Sequence, residues 1–138
     1  MRASKLGRYS WTMFDWANQP FYTLIMTFVF SVYFTDVFIV GEDGAQKLTL
    51  TQTISGLAIA LLSPILGSIT DIKGNRKFLM GITSALFVVG MALLWYSPPG
   101  APDGIWLVMF GLILASAMVG FSEVFNNSVL ATIETPEN

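Results

Sequence analysis

Four stretches of this chain run close to twenty residues with almost no charge, and this limits the fold more than any other feature. Residues 21–40 carry one charge, Asp36; residues 49–70 and 78–97 carry none; and from Gly104 onward no charge appears before Glu123. The hydrocarbon core of a bilayer is about 30 Å thick, so a spanning helix needs about 20 mostly apolar residues. Lipid offers no hydrogen-bond partners, so each span must satisfy its own backbone as a helix. The connectors are short and rich in turn residues, GEDG at 41–44, DIKGNRK at 71–77 and PPGAPDG at 98–104. The pattern predicts an all-α membrane protein with spans at about 12–40, 48–70, 78–97 and 104–131, packed as one bundle over residues 1–138.

Composition narrows the function. The chain is 54% hydrophobic and 12% charged, whereas soluble domains carry roughly 25% charged residues. Too little polar surface remains to coat a water-soluble domain. With no His and no Cys, thiol nucleophiles, imidazole bases and the usual zinc or haem ligand sets are absent, so neither a metal site, a cofactor nor an enzyme is expected. The net charge of −2 leaves no basic footprint for nucleic acid.

Basic residues set the expected orientation. Arg2, Lys5 and Arg8 precede the first span and Lys73, Arg76 and Lys77 follow the second, so six of the seven Lys and Arg residues lie on one side, against Lys47 on the other. The positive-inside rule places both ends and the 71–77 loop in the cytoplasm, and the protein in the cell (inner) membrane. Trp11, Trp16, Trp95, Tyr96 and Trp106 lie near span ends, where amphipathic rings anchor at the headgroups.

Polar residues inside spans are the candidate site. Ser116, Gly120, Glu123 and Asn127 are spaced 4, 3 and 4 apart, which puts them on one helical stripe, with Ser122 and Asn126 beside it. A carboxylate in this setting suits a hydrated substrate or proton path; the competing reading places Glu123 at headgroup level near the end of its span. In the first span Asp15 and Asn18 share a face that Tyr22 continues. Asp15 has a second reading as a helix-start residue, with Ser10 as the cap. Pro20 is expected to kink or start the helix. Asp36 reads as a solvated terminus. Gly56, Ala60, Ser63 and Gly67 in the second span, and Gly111 and Ala115 in the fourth, form small-residue rows that allow close helix packing.

The 71–77 loop carries the most specific local motif. Gly67, Asp71, Gly74, Arg76 and Lys77 resemble the cytoplasmic loop between the second and third helices of the major facilitator superfamily, with Ile72 and Asn75 departing where basic residues are usual. Asp71 can make contacts that exist in one conformation only, which gives the loop a gating role. Trp11 followed by FDWANQP at 14–20, together with EVFNNSVL at 123–130, is similar to the vacuole effluxer-like (autophagy-related 22-like) branch; Asn126 stands in a Tyr slot and Ala131 in a Pro slot. The resemblance implies four helices of the amino-terminal six-helix half of a twelve-helix transporter, and hence a fragment whose partners are membrane lipid, the remaining helices, a small solute and protons. It further implies secondary transport by alternating access, with amino acids or a similar metabolite exported. The alternative is a self-contained four-helix membrane protein with an assembly or structural role.

Overall fold

The computed structural model describes residues 5–73, 76–99 and 102–133. Four long helices account for most of them: α1 (Lys5–Phe38), α2 (Glu42–Lys73), α3 (Arg76–Leu93) and α4 (Ile105–Ile133). All four are long and apolar enough to cross a membrane, and no strand occurs among the described residues. The 32 residues of α2 measure about 48 Å at 1.5 Å per residue, so its ends project beyond a core of about 30 Å.

The first turn is shorter than the 41–44 connector, because α2 begins at Glu42. Gly41 has φ +99°, a left-handed conformation that glycine alone adopts without penalty. A Cβ at Gly44 would overlap the Ile39 carbonyl oxygen. Two expectations change at the start of the chain. Helix α1 begins by Lys5, so Ser10 lies within it and is not its cap. Pro20 neither starts nor stops the helix: immediately after it, α1 widens into a π-helix over Phe21–Val29, returns to α-helix, and widens again over Phe34–Phe38. Proline lacks the N–H that would bond the Trp16 carbonyl, and the chain absorbs this by adopting bonds to the fifth preceding residue. Phe30 N–H donates to Ile25 O, Thr27 Oγ1 donates to Tyr22 O at 2.8 Å, and the Ser31 hydroxyl donates to Met26 O. Helix α2 runs on through Pro64.

Helix α4 is the axis of the bundle. In its most apolar 18-residue stretch 67% of residues are buried, against 17%, 11% and 17% in α1, α2 and α3. Three core clusters lie along it. Phe34 and Phe38 of α1 and Leu48 of α2 pack on Val108, Met109 and Leu112 of α4. Phe21 of α1 packs on Ala115 and Val119, with Phe87 and Met91 of α3 alongside. Ala117, Phe121 and Phe125 meet Ile59 and Leu66 of α2 and Leu79 and Met80 of α3. Helices α3 and α4 touch backbone to backbone: a Cβ at Gly90 would stand 2.8 Å from Ala115 N and 2.8 Å from Gly111 O. The Gly111–Ala115 row therefore packs as expected, against a glycine that sequence reasoning did not single out. On the α2 row a Cβ at Gly56 or Gly67 would meet no atom within 4 Å, whereas Ser63 is half-buried with its hydroxyl enclosed.

Hydrogen bonds between distant residues fix the antiparallel register. The Trp11 indole N–H donates to Asn126 O at 2.8 Å, and the Tyr33 hydroxyl donates to Ser97 O. Thr83 and Ser122 join their hydroxyls at 2.7 Å inside the α3–α4 contact. Several hydroxyls within the spans bond back to their own helix, as Thr51 Oγ1 does to Lys47 O at 2.7 Å and Ser55 Oγ to Thr51 O at 2.8 Å, which pairs their donors in the apolar zone; Ser63 Oγ is enclosed without a partner among the described residues.

Candidate functional site

The polar residues of α1 and α4 meet along one seam. On α1, Trp11, Asp15, Asn18 and Tyr22 recur at spacings of 4, 3 and 4, which turns them to one side of the helix. That side faces α4: Trp11 bonds Asn126 O, and further along the antiparallel pair Ser116 Oγ lies 4.0 Å from Met26 Sδ. Between these two contacts Glu123 lies within electrostatic reach of Asp15 and of the Tyr22 hydroxyl. Asp15, Asn18, Tyr22 and Glu123 are each half-buried. Asn18 Nδ2 is enclosed and has no hydrogen-bond partner among the described residues.

Local packing explains why this seam stays polar. Helices α1 and α2 share a core cluster only near the Phe34–Phe38 end, where Phe34 and Phe38 join Leu48. Toward the Glu123 end the cluster built on Phe121 and Phe125 draws on α2, α3 and α4 and contains no residue of α1. On the α1 side of that end Phe14, Asp15, Asn18 and Tyr22 are half-buried, and Glu123 is half-buried as well. Chemically, two carboxylates, a phenol and an unpaired amide N–H form a set able to hold a proton or a cationic group, with one donor left for an anionic group.

The other expected residues fall in different places. Asn126 is buried and supplies a backbone carbonyl to Trp11, while Asn127 is exposed. Ser122 belongs to the α3 contact through Thr83, not to the seam. Asp36 is exposed and accepts from Thr35 Oγ1 at 2.9 Å. The expected 71–77 loop is shorter, since α2 runs to Lys73 and α3 starts at Arg76; of its motif Gly67 in α2 is half-buried and Lys77 in α3 exposed, whereas Gly74 and the side chains of Asp71 and Arg76 lie outside the described residues. Trp16, Trp95 and Trp106 are 68%, 88% and 73% exposed. Trp11 differs: it is half-buried and bonded to α4. Its signal in the sequence was the spacing to Asp15, Asn18 and Tyr22. No group of acidic residues able to hold a metal ion occurs among the described residues.

A chain of four membrane-spanning helices carrying a polar seam is a multi-pass membrane protein, and one curated relative shows which kind it is similar to. The chain is 33% identical over 134 residues, 93% of its length, to an uncharacterized MFS-type transporter, YxiO, of Bacillus subtilis (strain 168). It spans about 30% of the length of that relative. The four-helix arrangement fits part of a major facilitator fold. No family model matches the chain, and no solved structure matches it.

Proposed function

We propose that this chain is the amino-terminal part of a major facilitator transporter of the vacuole effluxer-like branch, in the cell membrane with both ends of the chain cytoplasmic. The transporter moves a small solute by alternating access, in which helical halves rock about a site between them. The chain contributes one wall of that path through Asp15, Asn18, Glu123, Asn126 and Asn127, while Gly67, Asp71, Gly74, Arg76 and Lys77 form the gate loop. The remaining helices of the transporter complete the site.

The observation that carries this reading is the position of Glu123. Along α4 it lies about 10 Å from the midpoint of the Ile105–Ser128 span at 1.5 Å per residue, inside the roughly 15 Å half-thickness of the hydrocarbon. A carboxylate at such a depth costs on the order of 2.5–3.5 kcal/mol on insertion scales if it faces lipid. Asp15 and Tyr22 of α1 are within its electrostatic reach, which supports a polar setting over a lipid-facing one. The acidic pair favours a solute with an ammonium group, or a proton in its place. The enclosed Asn18 Nδ2, still lacking an acceptor, suits a carboxylate on the same solute. Together they favour a zwitterion such as an amino acid.

The test is Glu123→Gln in a full-length protein containing this chain. Gln preserves size and hydrogen bonding and removes the charge. Membrane insertion and yield should be unchanged while transport is lost or uncoupled from the proton gradient. Wild-type transport with unaltered pH dependence would refute the site and return Glu123 to the headgroup reading.

A further inference from the structure

We propose that residues 5–20 of α1 form a gate over the Glu123 end of the bundle, latched by the Trp11 indole on the Asn126 carbonyl and hinged where α1 widens after Pro20. The inference goes beyond the transport reading, because it concerns how this end opens and needs no particular solute.

Three observations carry it. First, the segment is lightly held. Lys5–Pro20 contains no fully buried side chain; Trp11, Phe14, Asp15 and Asn18 are half-buried and the other twelve residues are exposed. Segments with so little buried apolar contact open at low free-energy cost. Second, the segment has a defined attachment. The Trp11 N–H reaches across to Asn126 O at 2.8 Å, 115 residues away in sequence. Third, the joint lies at a break in the helical register. Pro20 has no N–H to give the Trp16 carbonyl, and π-type turns follow from Phe21 to Val29. Interruptions of this kind are where helices bend.

Beyond the joint α1 is fixed. Phe21 is 4% exposed and packs on Ala115 and Val119, and the Tyr33 hydroxyl holds the far end to Ser97 O. Motion is therefore confined to the part of α1 that carries Asp15 and Asn18. Release of Trp11 carries these two residues away from α4 and opens the seam at one end. A hydrogen bond of ordinary net strength biases such an opening about three- to tenfold.

The experiment uses the complete chain in lipid nanodiscs. The chain has no cysteine, so Asn18→Cys creates a unique thiol where an enclosed amide now sits. Its rate of modification by a charged, membrane-impermeant thiol reagent reads the open population. Adding Trp11→Phe, which keeps an aromatic ring and removes the donor, should raise the rate about three- to tenfold. Trp16→Phe, on the exposed side, should leave it unchanged. Pro20→Ala restores the missing donor and stiffens the joint, so it should lower the rate. A Trp11→Phe rate equal to the parent, or an equal rise with Trp16→Phe, would overturn the latch. Should Trp11→Phe fail to assemble, the Pro20→Ala arm decides, since an unchanged or faster rate there refutes the hinge. None of these readouts involves transport, so their failure leaves the solute path standing, and loss of that path leaves the latch standing.

Discussion

Replacing Gly90 by alanine should loosen the bundle, whereas the same replacement at Gly56 should not. At Gly90 the new Cβ would stand 2.8 Å from Ala115 N and 2.8 Å from Gly111 O, whereas ordinary contact begins at 3.4 Å. Both neighbours are backbone atoms, so no side-chain rotation relieves the overlap; α3 and α4 must separate by about 0.6 Å along the line of contact. Overpacking of this kind costs about 1–3 kcal/mol. At Gly56 the Cβ meets no atom within 4 Å. Alanine is favoured over glycine in a helix interior by about 1 kcal/mol at either position, and that contribution cancels when the two variants are compared. The Gly90 variant should therefore be less stable than the Gly56 variant by about 1–3 kcal/mol. Reversible unfolding by dodecyl sulfate in mixed micelles, followed by far-UV circular dichroism, measures the difference. Equal stabilities within about 0.5 kcal/mol, or a less stable Gly56 variant, would refute the close approach of α3 and α4.

Other expectations test separate parts of the bundle. A double-mutant cycle on Thr83→Val and Ser122→Ala should give a coupling of about 0.6 kcal/mol and no more than about 1.7 kcal/mol; zero coupling would remove their shared hydrogen bond. Reporter fusions after Gly44 and Pro102 should read external and one after Gly74 internal, and a cytoplasmic reading at Gly44 would invert the proposed topology. In a complete homologous transporter, Asp71→Asn should insert normally yet shift the conformational balance seen by state-dependent cysteine labelling, because contacts made in one state alone bias that state. Unchanged labelling and transport would reduce the motif to an ordinary loop.

The spans were legible because length and charge depletion are strong signals, and the 41–44 turn because Gly41 supplies the positive φ such a turn uses. Residues 5–11 were missed as helix because they lack the apolar run that marks a span. The π-helical stretches leave no such trace, since a shift to the fifth preceding carbonyl changes hydrogen-bond register and not residue type. The centrality of α4 was hidden as well. It and α3 have the same mean hydropathy, 2.1, and composition does not distinguish a helix facing lipid from one facing helices. For the same reason the α2 small-residue row looked like packing although Gly56 has nothing against it. At the candidate site Asp15, Asn18 and Glu123 stood out as polar residues in apolar surroundings. Trp11 was marked only by its spacing to Asp15, Asn18 and Tyr22, because an indole near a span end reads identically whether its N–H meets a headgroup or a neighbouring carbonyl.

The burial of α4 has a bearing on how the chain is made. Helices leave the ribosome in order, so α1, α2 and α3 reach the bilayer before the helix around which they pack. In the finished bundle each core cluster includes α4. Until residues 105–128 emerge, the first three spans have contacts such as that of Phe34 and Phe38 with Leu48, and the side chains of α2 and α3 that later pack around α4. Glu123 then arrives late in α4, after Asp15 has waited in the membrane for the synthesis of about a hundred further residues. Assembly of the polar seam and joining of the three core clusters thus become a single late event, and a nascent chain halted in the 98–104 connector would lack the helix common to all three.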